Sequence, residues 1–445
     1  MDGVVRPRRA LILAAAFALL MLPGTGRQQA ARATGPAQAS IAALRICTGC
    51  AHAGGNLSRY RYVILNSWDA PLIPVLKAQN PGLKALVYKD FSFTVSSACS
   101  GGADLARRSA GVGYCDASAD HPDWFLTDPS GKRLASANYP DAWMMDVGNP
   151  GYQSAWLSDV LADLRAGDWD GVFMDDTNAS MSWHLGGRTI VRYPTSASWR
   201  AATRSMLAKV GPALMSAGYL VVPNLDTPWA ADYDAQATWS DWLRFTSGAA
   251  QEYYSKWGMT SSGLLAGRDW AYRQRFQELT EKAGKIFLGI TYAPKGDART
   301  MTWARANFLL FDQPAYGGAL VFELTNPEAQ DPYSSSWTAD VGAPLGPRFR
   351  VGAAWRRNFS GGTVLVNPSS KAVTVALGRP YLRGDGSVTT SVRLAPTSGA
   401  ILRSAGQARA FFARAAKRAH ALRGRRARVR PVRGWHSLRQ LAIWR

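Results

Sequence analysis

Histidine is scarce in this chain of 445 residues: five, at positions 52, 121, 184, 420 and 436, with no His-x-His or His-x-x-x-His spacing. A zinc centre built on paired imidazoles is therefore not expected. The loop acids Asp116, Asp120, Asp123 and Asp128 lack the spaced, Gly-containing pattern of a calcium loop, so no metal is expected from them either. No Gly-x-Ser-x-Gly elbow and no Gly-rich phosphate loop occurs, which removes the commonest serine-hydrolase and nucleotide schemes. The apolar run Ala10 to Leu22 is thirteen residues, too short to span a bilayer comfortably. The last forty residues contain no acid at all.

What is present is apolar and aromatic: 47% hydrophobic residues, with 17 Trp, 16 Tyr and 15 Phe. That is too much sticky surface for a disordered tether, and the length suits one large core or two ordinary ones. The formal net charge of +21 sits on the tails. Residues 1–45 hold six Arg against Asp2, and residues 406–445 hold eleven Arg plus Lys417, which leaves residues 46–405 with a net of only +4. A nearly neutral body argues against nucleic acid as the partner. The Arg-rich tail, with Phe411, Phe412, Trp435 and Trp444, is expected to seek anionic wall polymers or lipid head groups, or to stay a solvated extension. Oligomeric state is not readable from the sequence.

Arg6, Arg8 and Arg9 precede the apolar run, which breaks at Pro23-Gly24 and is followed by the small-x-small sites Ala31-Arg32-Ala33 and Ala37-Gln38-Ala39. Residues 1–39 thus read as a signal peptide and linker, and the protein as secreted and extracellular. In that oxidising space Cys47, Cys50, Cys99 and Cys115 are expected as disulfides. Four cysteines allow three pairings. Cys99 and Cys115 bracket the Gly/Ser/Ala-rich stretch Ser100 to Tyr114 and would staple it, which leaves Cys47 and Cys50 to close on each other. A redox role for Cys47-Thr48-Gly49-Cys50 is disfavoured because no strand leads into it.

From about Tyr60, short Val/Ile/Leu-rich runs alternate with longer helical stretches. Eight strands are expected: Tyr62–Ser67, Ala85–Tyr88, Trp143–Val147, Gly171–Asp175, Leu220–Asn224, Ala249–Tyr253, Ile286–Thr291 and Ala319–Glu323. Helices are expected over Gln153–Arg165, Ser198–Ser216, Trp270–Ala283 and Thr302–Phe311, each with apolar residues three or four apart. The fold class is therefore α/β, a (β/α)₈ TIM barrel over residues 40–330. After Pro327 Gly, Pro and Ser thicken, and period-2 strands in Thr363–Val366, Ala372–Ala376 and Val388–Leu394 predict a small C-terminal antiparallel β domain over 345–405, followed by the 406–445 tail.

In such a barrel function collects at the carboxyl ends of the strands. Acids or amides end several of them: Asp146, Asp175 with Asp176, Asn224, Glu252 and Glu323, with Tyr88-Lys89-Asp90 closing another. Carboxylates converging on one mouth repel and raise one another's pKa, an arrangement that needs a reason. Glycosidic cleavage supplies one, requiring one ionised and one protonated carboxyl group and an environment that favours a cationic transition state. Flat apolar faces for sugar rings are available at or near strand ends in Trp68, Trp143, Trp183, Trp229, Trp239 and Trp257, although any one of them also suits the core. A single strand-end Asp caps the following helix more often than it catalyses, and Asp176 fits that role or an orienting one.

The runs Trp169-Asp170-Gly171-Val172-Phe173-Met174-Asp175-Asp176, Gly248-Ala249-Ala250-Gln251-Glu252 and Trp355-Arg356-Arg357-Asn358-Phe359-Ser360-Gly361-Gly362-Thr363-Val364-Leu365-Val366-Asn367-Pro368 resemble the hypothetical glycosyl-hydrolase-like family 15, over about Arg61 to Leu402. The resemblance implies a TIM barrel related to the α-galactosidase and polygalactosaminidase groups. It places a retaining nucleophile on Asp175, at the end of the fourth strand, and an acid/base on Glu252, at the end of the sixth. Relatives usually have Asp at the second position, and amylase-like ones put their acid on the fifth strand, where this chain has Asn224.

The expectation is thus a secreted glycoside hydrolase acting on a poly- or oligosaccharide with retention, with Asp175 and Glu252 catalytic. Tyr88, Asp146, Asp176, Asn224, Glu323, Trp68 and Trp229 would bind substrate or orient the pair, and no cofactor is required. The alternative is a carbohydrate-binding barrel at the cell wall without catalysis. The loop Phe91 to Pro140 and the stretch Met181–Thr195 are expected to wall the site.

Overall fold

The computed structural model describes residues 40–406 apart from 48, 53–54, 107, 229–230, 325–332, 334–337 and 339. The expected signal peptide and linker (1–39), Trp229 and the Arg-rich tail beyond Gly406 lie outside the described residues. Among those described, no helix is long and apolar enough to cross a membrane.

Eight parallel strands close into a barrel: β1 Ile41–Arg45, β2 Tyr62–Leu65, β3 Lys84–Asp90, β4 Gly171–Asn178, β5 Leu220–Asp226, β6 Gly248–Gln251, β7 Ile286–Ala293 and β8 Ala319–Leu324. They neighbour one another in chain order, and β1 closes the ring on β8 through Ile41 opposite Leu320. Among the described residues eight α-helices accompany them: α1 Ile73–Gln79, α2 Tyr114–Asp120, α3 Pro150–Ala166, α4 Ser182–Leu185, α5 Ser196–Ser216, α6 Ala235–Trp242, α7 Gly267–Lys282 and α8 Ala298–Phe311. Their starts follow local chemistry. Asn149 caps α3 by accepting from the Gly151 amide at 2.8 Å, with Pro150 preset for the first turn, and Thr195 with Ser198 forms a capping box on α5.

The expected barrel is present, with one strand exchanged. Trp143–Val147 is not a barrel strand. Ala142–Met144 pairs antiparallel with Phe93–Val95 in a separate ribbon within the long connection after β3. The barrel strand missing from the sequence reading is Ile41–Arg45, buried along its whole length, so a strand does lead into Cys47, contrary to the expectation above. Tyr88-Lys89-Asp90 accordingly closes the third strand, not the second. Because the strand lost and the strand gained both precede Gly171, Asp175 remains on the fourth strand and Glu252 follows the sixth.

Glycine opens both of those strands for a steric reason. A Cβ on Gly171 would lie 2.2 Å from the Leu220 carbonyl oxygen, and one on Gly248 would lie 2.2 Å from that of Ile286. Only a residue without a side chain lets the neighbouring strands approach there.

The second sheet is antiparallel: β9 Phe349–Val351, β10 Ala354–Phe359, β11 Gly362–Asn367, β12 Val373–Leu382, β13 Val388–Leu394 and β14 Ser398–Ser404, in the order β9-β10-β11-β14-β12-β13. It docks on α8, where Trp303, Ala306, Leu310, Val364 and Val366 share one apolar cluster. Arg357 reaches back from β10 to the Leu309 and Asp312 carbonyls at 3.0 and 2.8 Å, satisfying acceptors freed at the end of α8. Cys47 pairs with Cys50 and Cys99 with Cys115, with Cα separations of 5.3 and 5.4 Å.

Candidate active site

Side chains alternate along a strand, so every second residue of each barrel strand points inward. One inward layer is wholly apolar: Leu44, Ile64, Leu86, Phe173, Val222, Ala250, Ile290 and Val321. Two residues further toward the carboxyl end of each strand stand Ile46, Asn66, Tyr88, Asp175, Asn224, Glu252, Tyr292 and Glu323. Seven of these eight are polar, so the barrel changes within one layer from a sealed floor to a polar mouth.

At the mouth two carboxylates share one donor. Asn224 Nδ2 donates to Asp175 Oδ1 at 2.9 Å and to Glu252 Oε2 at 3.1 Å. The two bonds laid end to end allow at most about 6 Å between those oxygens, close to the ~5–5.5 Å of retaining glycosidases and short of the ~6.5–9.5 Å of inverting ones. Tyr88 donates its hydroxyl to Asp175 Oδ2 at 2.6 Å, and the Asp176 amide reaches Asp175 Oδ1 at 2.9 Å. Tyr292 donates to Glu252 Oε1 at 2.9 Å.

These surroundings treat the two acids differently. Burial and the neighbouring Asp175 charge push the Glu252 carboxyl up to about 7, against the opposing bonds from Tyr292 and Asn224. Burial and the Asp176 charge also raise Asp175, but three donors oppose the shift. With one more donor on its carboxylate, Asp175 is the member of the pair that keeps the charge. Tyr88 and Tyr292 are raised well above an ordinary tyrosine, by burial and then by Asp175 and Glu252 respectively, so both stay protonated as donors.

The backbone is unusual directly after each carboxylate. Asp176 has φ of +52° and Tyr253 has +53°, a left-handed conformation that side chains other than glycine, Asn and Asp rarely adopt. At Asp176 the register slips, Met174 standing opposite Pro223 but Thr177 opposite Leu225. The strand is bulged by one residue, a device that re-aims side chains. It turns Asp176 Oδ1 toward His184 Nε2 at 3.0 Å and Asn178 Nδ2 at 3.1 Å, and the far ring nitrogen of His184 meets Ser136 Oγ at 3.0 Å.

The other expected residues are more dispersed. Glu323 faces inward from β8, paired with Arg45 at 3.3 Å, and burial pushes its carboxyl up to about 8. Asp146 follows the antiparallel ribbon, not a barrel strand, and is already engaged by the Tyr193 hydroxyl, by Arg192 Nε at 2.8 Å and by the Gly148 amide at 3.0 Å. Trp68 is half-buried on the turn Ser67–Leu72. Trp239 is core, its indole bonded to Thr280, whereas Trp183 and Trp257 are exposed.

Tyr292 and His184 have no role in the sequence reading, and Asp90 appears there only as the close of a strand. Tyr292 stands two places after Ile290, just as Glu252 follows Ala250 by two, so parity along β7 would have found it. Asp90 ends β3 as an inward-facing acid raised well above its ordinary value by burial and by Asp176 and Asp175, with its Oδ1 accepting from the Ser92 and Phe93 amides. His184 carried no sequence signal, since only the fold brings it to Asp176.

The sequence profile described as hypothetical glycosyl hydrolase family 15 matches residues 77–363. No curated protein matches the chain. Solved structures similar to it include the glycoside hydrolase domain of PelA from Pseudomonas aeruginosa, at 15% identity, 65% of this chain, 96% of that one and a TM-score of 0.41. Aspergillus fumigatus Ega3 in complex with galactosamine aligns at 11% identity over 66% of this chain and 95% of that one, TM-score 0.41. An α-amylase from Malbranchea cinnamomea aligns at 9% identity over 78% and 86%, TM-score 0.42.

Proposed function

The chain belongs to hypothetical glycosyl hydrolase family 15, and so to the glycosidase class, and from that premise we propose that it hydrolyses O-glycosidic bonds of a poly- or oligosaccharide with retention, Asp175 as nucleophile and Glu252 as acid and base. The observation that carries this reading is the single amide of Asn224 held between the two carboxylates, 2.9 Å from one and 3.1 Å from the other. A spacing this short leaves no room for a water between base and sugar, so the second carboxylate attacks carbon directly.

In the first step Asp175 forms a bond to the anomeric carbon while the bond from that carbon to the leaving oxygen breaks and Glu252 gives that oxygen its proton. In the second, Glu252 takes a proton from water, the water oxygen bonds to the anomeric carbon, and the Asp175 carboxylate is released. A Glu252 carboxyl at about 7 is about half protonated at neutral pH, so both the proton donor and the base form are at hand, and it is reprotonated in the second step of each turnover. Tyr88, Asn224 and the Asp176 amide hold Asp175 in place, and Asp176 is itself fixed by His184. Glu323, Trp68 and Trp229 are assigned to substrate contact. Asp146, saturated by Tyr193, Arg192 and Gly148, is assigned to holding its loop rather than to sugar.

Secretion belongs to the same reading, supported by the Arg-then-apolar leader and by two cystines of the kind an oxidising compartment preserves. The decisive experiment incubates the purified protein with galactosaminoglycan, α-galactosides and wall polysaccharides, and follows the anomer of the first product by NMR. Retention, abolished by Asp175→Ala, supports the mechanism. Inversion rejects the nucleophile, and binding with no product from any substrate rejects catalysis in favour of a sugar-binding barrel.

A further inference from the structure

Large aromatic side chains are costly to leave in water, and a cluster of them on a surface marks a contact site. The three most exposed aromatic residues among those described are Trp183 at 60%, Tyr139 at 56% and Trp257 at 48%. All three stand around the mouth, in two groups. Trp183 lies on α4, in the loop after β4, with Tyr139 beside it at 5.9 Å between ring centres. Trp257 lies in the loop after β6, with Tyr253 at 5.7 Å.

Each group is anchored to one of the acids. Trp183 packs edge-on against His184 at 4.8 Å, and His184 is bonded to Asp176, the residue after Asp175. The Trp183 carbonyl accepts from Asn138 Nδ2 at 2.9 Å, which joins the two walls of that flank. On the other flank Tyr253 lies 5.4 Å from Tyr292, the donor to Glu252. The Arg273 guanidinium sits 4.3 Å over the Trp257 ring and donates to the Glu252 carbonyl at 3.2 Å. Lys256 fastens the same loop through the Gly258 carbonyl at 2.7 Å. These rings are held in place, so they meet a ligand with little ordering left to do.

β4 and β6 are separated on the ring only by β5, which carries Asn224. A chain reaching from one aromatic group to the other therefore passes over Asp175 and Glu252. We propose that the mouth binds an extended, unbranched polysaccharide on both sides of the cleaved bond, sugar rings lying on Trp183 and Tyr139 at one flank and on Trp257 and Tyr253 at the other, so that cleavage is internal. The weakly positive C–H faces of pyranose rings match the negative face of an aromatic ring. The claim of internal cleavage rests on the glycosidase reading above; the two-sided binding does not.

The test titrates the full chain carrying Asp175→Ala, calorimetrically, with galactosamine, maltose, mannose and glucosamine oligomers of two, four and eight units. For at least one series the dissociation constant falls by about tenfold or more from two units to eight. Trp183→Ala and Trp257→Ala each raise the eight-unit constant by about tenfold, ~1.4 kcal/mol, and Phe at either position restores most of it. Both side chains are exposed, and unchanged thermal unfolding of the variants verifies that the fold is intact. Absence of binding in every series, affinity that levels off at two units, or loss of either Trp without effect overturns the proposal. Length-dependent binding with no hydrolysis by the unsubstituted chain sinks the glycosidase reading alone; hydrolysis that removes one unit at a time from a chain end sinks internal cleavage alone.

Discussion

Replacing Asn224 with leucine, similar in shape but without polar atoms, isolates what its amide does for the two carboxylates. The amide nitrogen has two hydrogens, and each is committed to a different acid, Asp175 at 2.9 Å and Glu252 at 3.1 Å. A hydrogen bond to a charged group contributes about 1.5–3 kcal/mol, and one pKa unit corresponds to about 1.36 kcal/mol. Each acid therefore loses roughly one to two units' worth of support for its ionised form, and both pKa values rise. Activity needs Asp175 ionised and Glu252 protonated, so kcat/KM against pH is bell-shaped. Its alkaline limb in the unsubstituted protein falls near pH 7, set by Glu252. In Asn224→Leu both limbs move to higher pH by about one to two units, as properties of the coupled pair rather than of either acid. The assay is the pH profile on whichever polysaccharide the unsubstituted protein hydrolyses. Limbs that stay in place while the plateau falls would mean that Asn224 touches only substrate, and the account of the shared donor would be refuted.

Further outcomes follow from other contacts. Tyr88→Phe removes the 2.6 Å bond to Asp175 and none to Glu252, so the acid limb rises by about one to two units while the alkaline limb, which senses Asp175 only through its charge, moves less; an alkaline limb that moves as far as the acid one contradicts it. Glu252→Gln lowers kcat/KM about 10²–10⁴-fold on natural glycosides but far less on aryl glycosides whose leaving group needs no proton, while kcat falls on both because the second step has lost its base, measured by steady-state kinetics. Gly248→Ala drives a Cβ against the Ile286 carbonyl and lowers stability by at least ~1–3 kcal/mol, read by urea denaturation. Replacing Cys99 and Cys115 by serine opens a loop of 16-residue separation and removes about 3 kcal/mol, with a matching fall in the denaturation midpoint.

The barrel was legible because parallel strands buried on both faces read as continuous apolar runs, and Gly171–Asp175 or Ile286–Thr291 have little else to be. Trp143–Val147 misled for the same reason. Its run of Trp, Met and Met looks like a buried strand, and nothing local reveals that Phe93–Val95 is its antiparallel partner. Ile41–Arg45 was missed because alanines give a weak strand signal even though all five residues are buried. The acids were visible one by one as polar residues closing apolar strands. Their meeting at Asn224 was not, because it depends on the stagger of three strands around the ring. His184 and Asp176 come together through a bulge that no propensity encodes.

The left-handed backbone after Glu252 sets heat resistance against turnover at one position. Aspartate at 176 tolerates such a backbone and its carboxylate is gripped by His184 and Asn178, so glycine there gains little. Glycine at 253 would relieve conformational strain on the order of 1–3 kcal/mol and would also delete the ring that abuts Tyr292. A laboratory selection that rewarded survival at high temperature and ignored catalysis would favour glycine at 253, and its survivors would be hardy and slow.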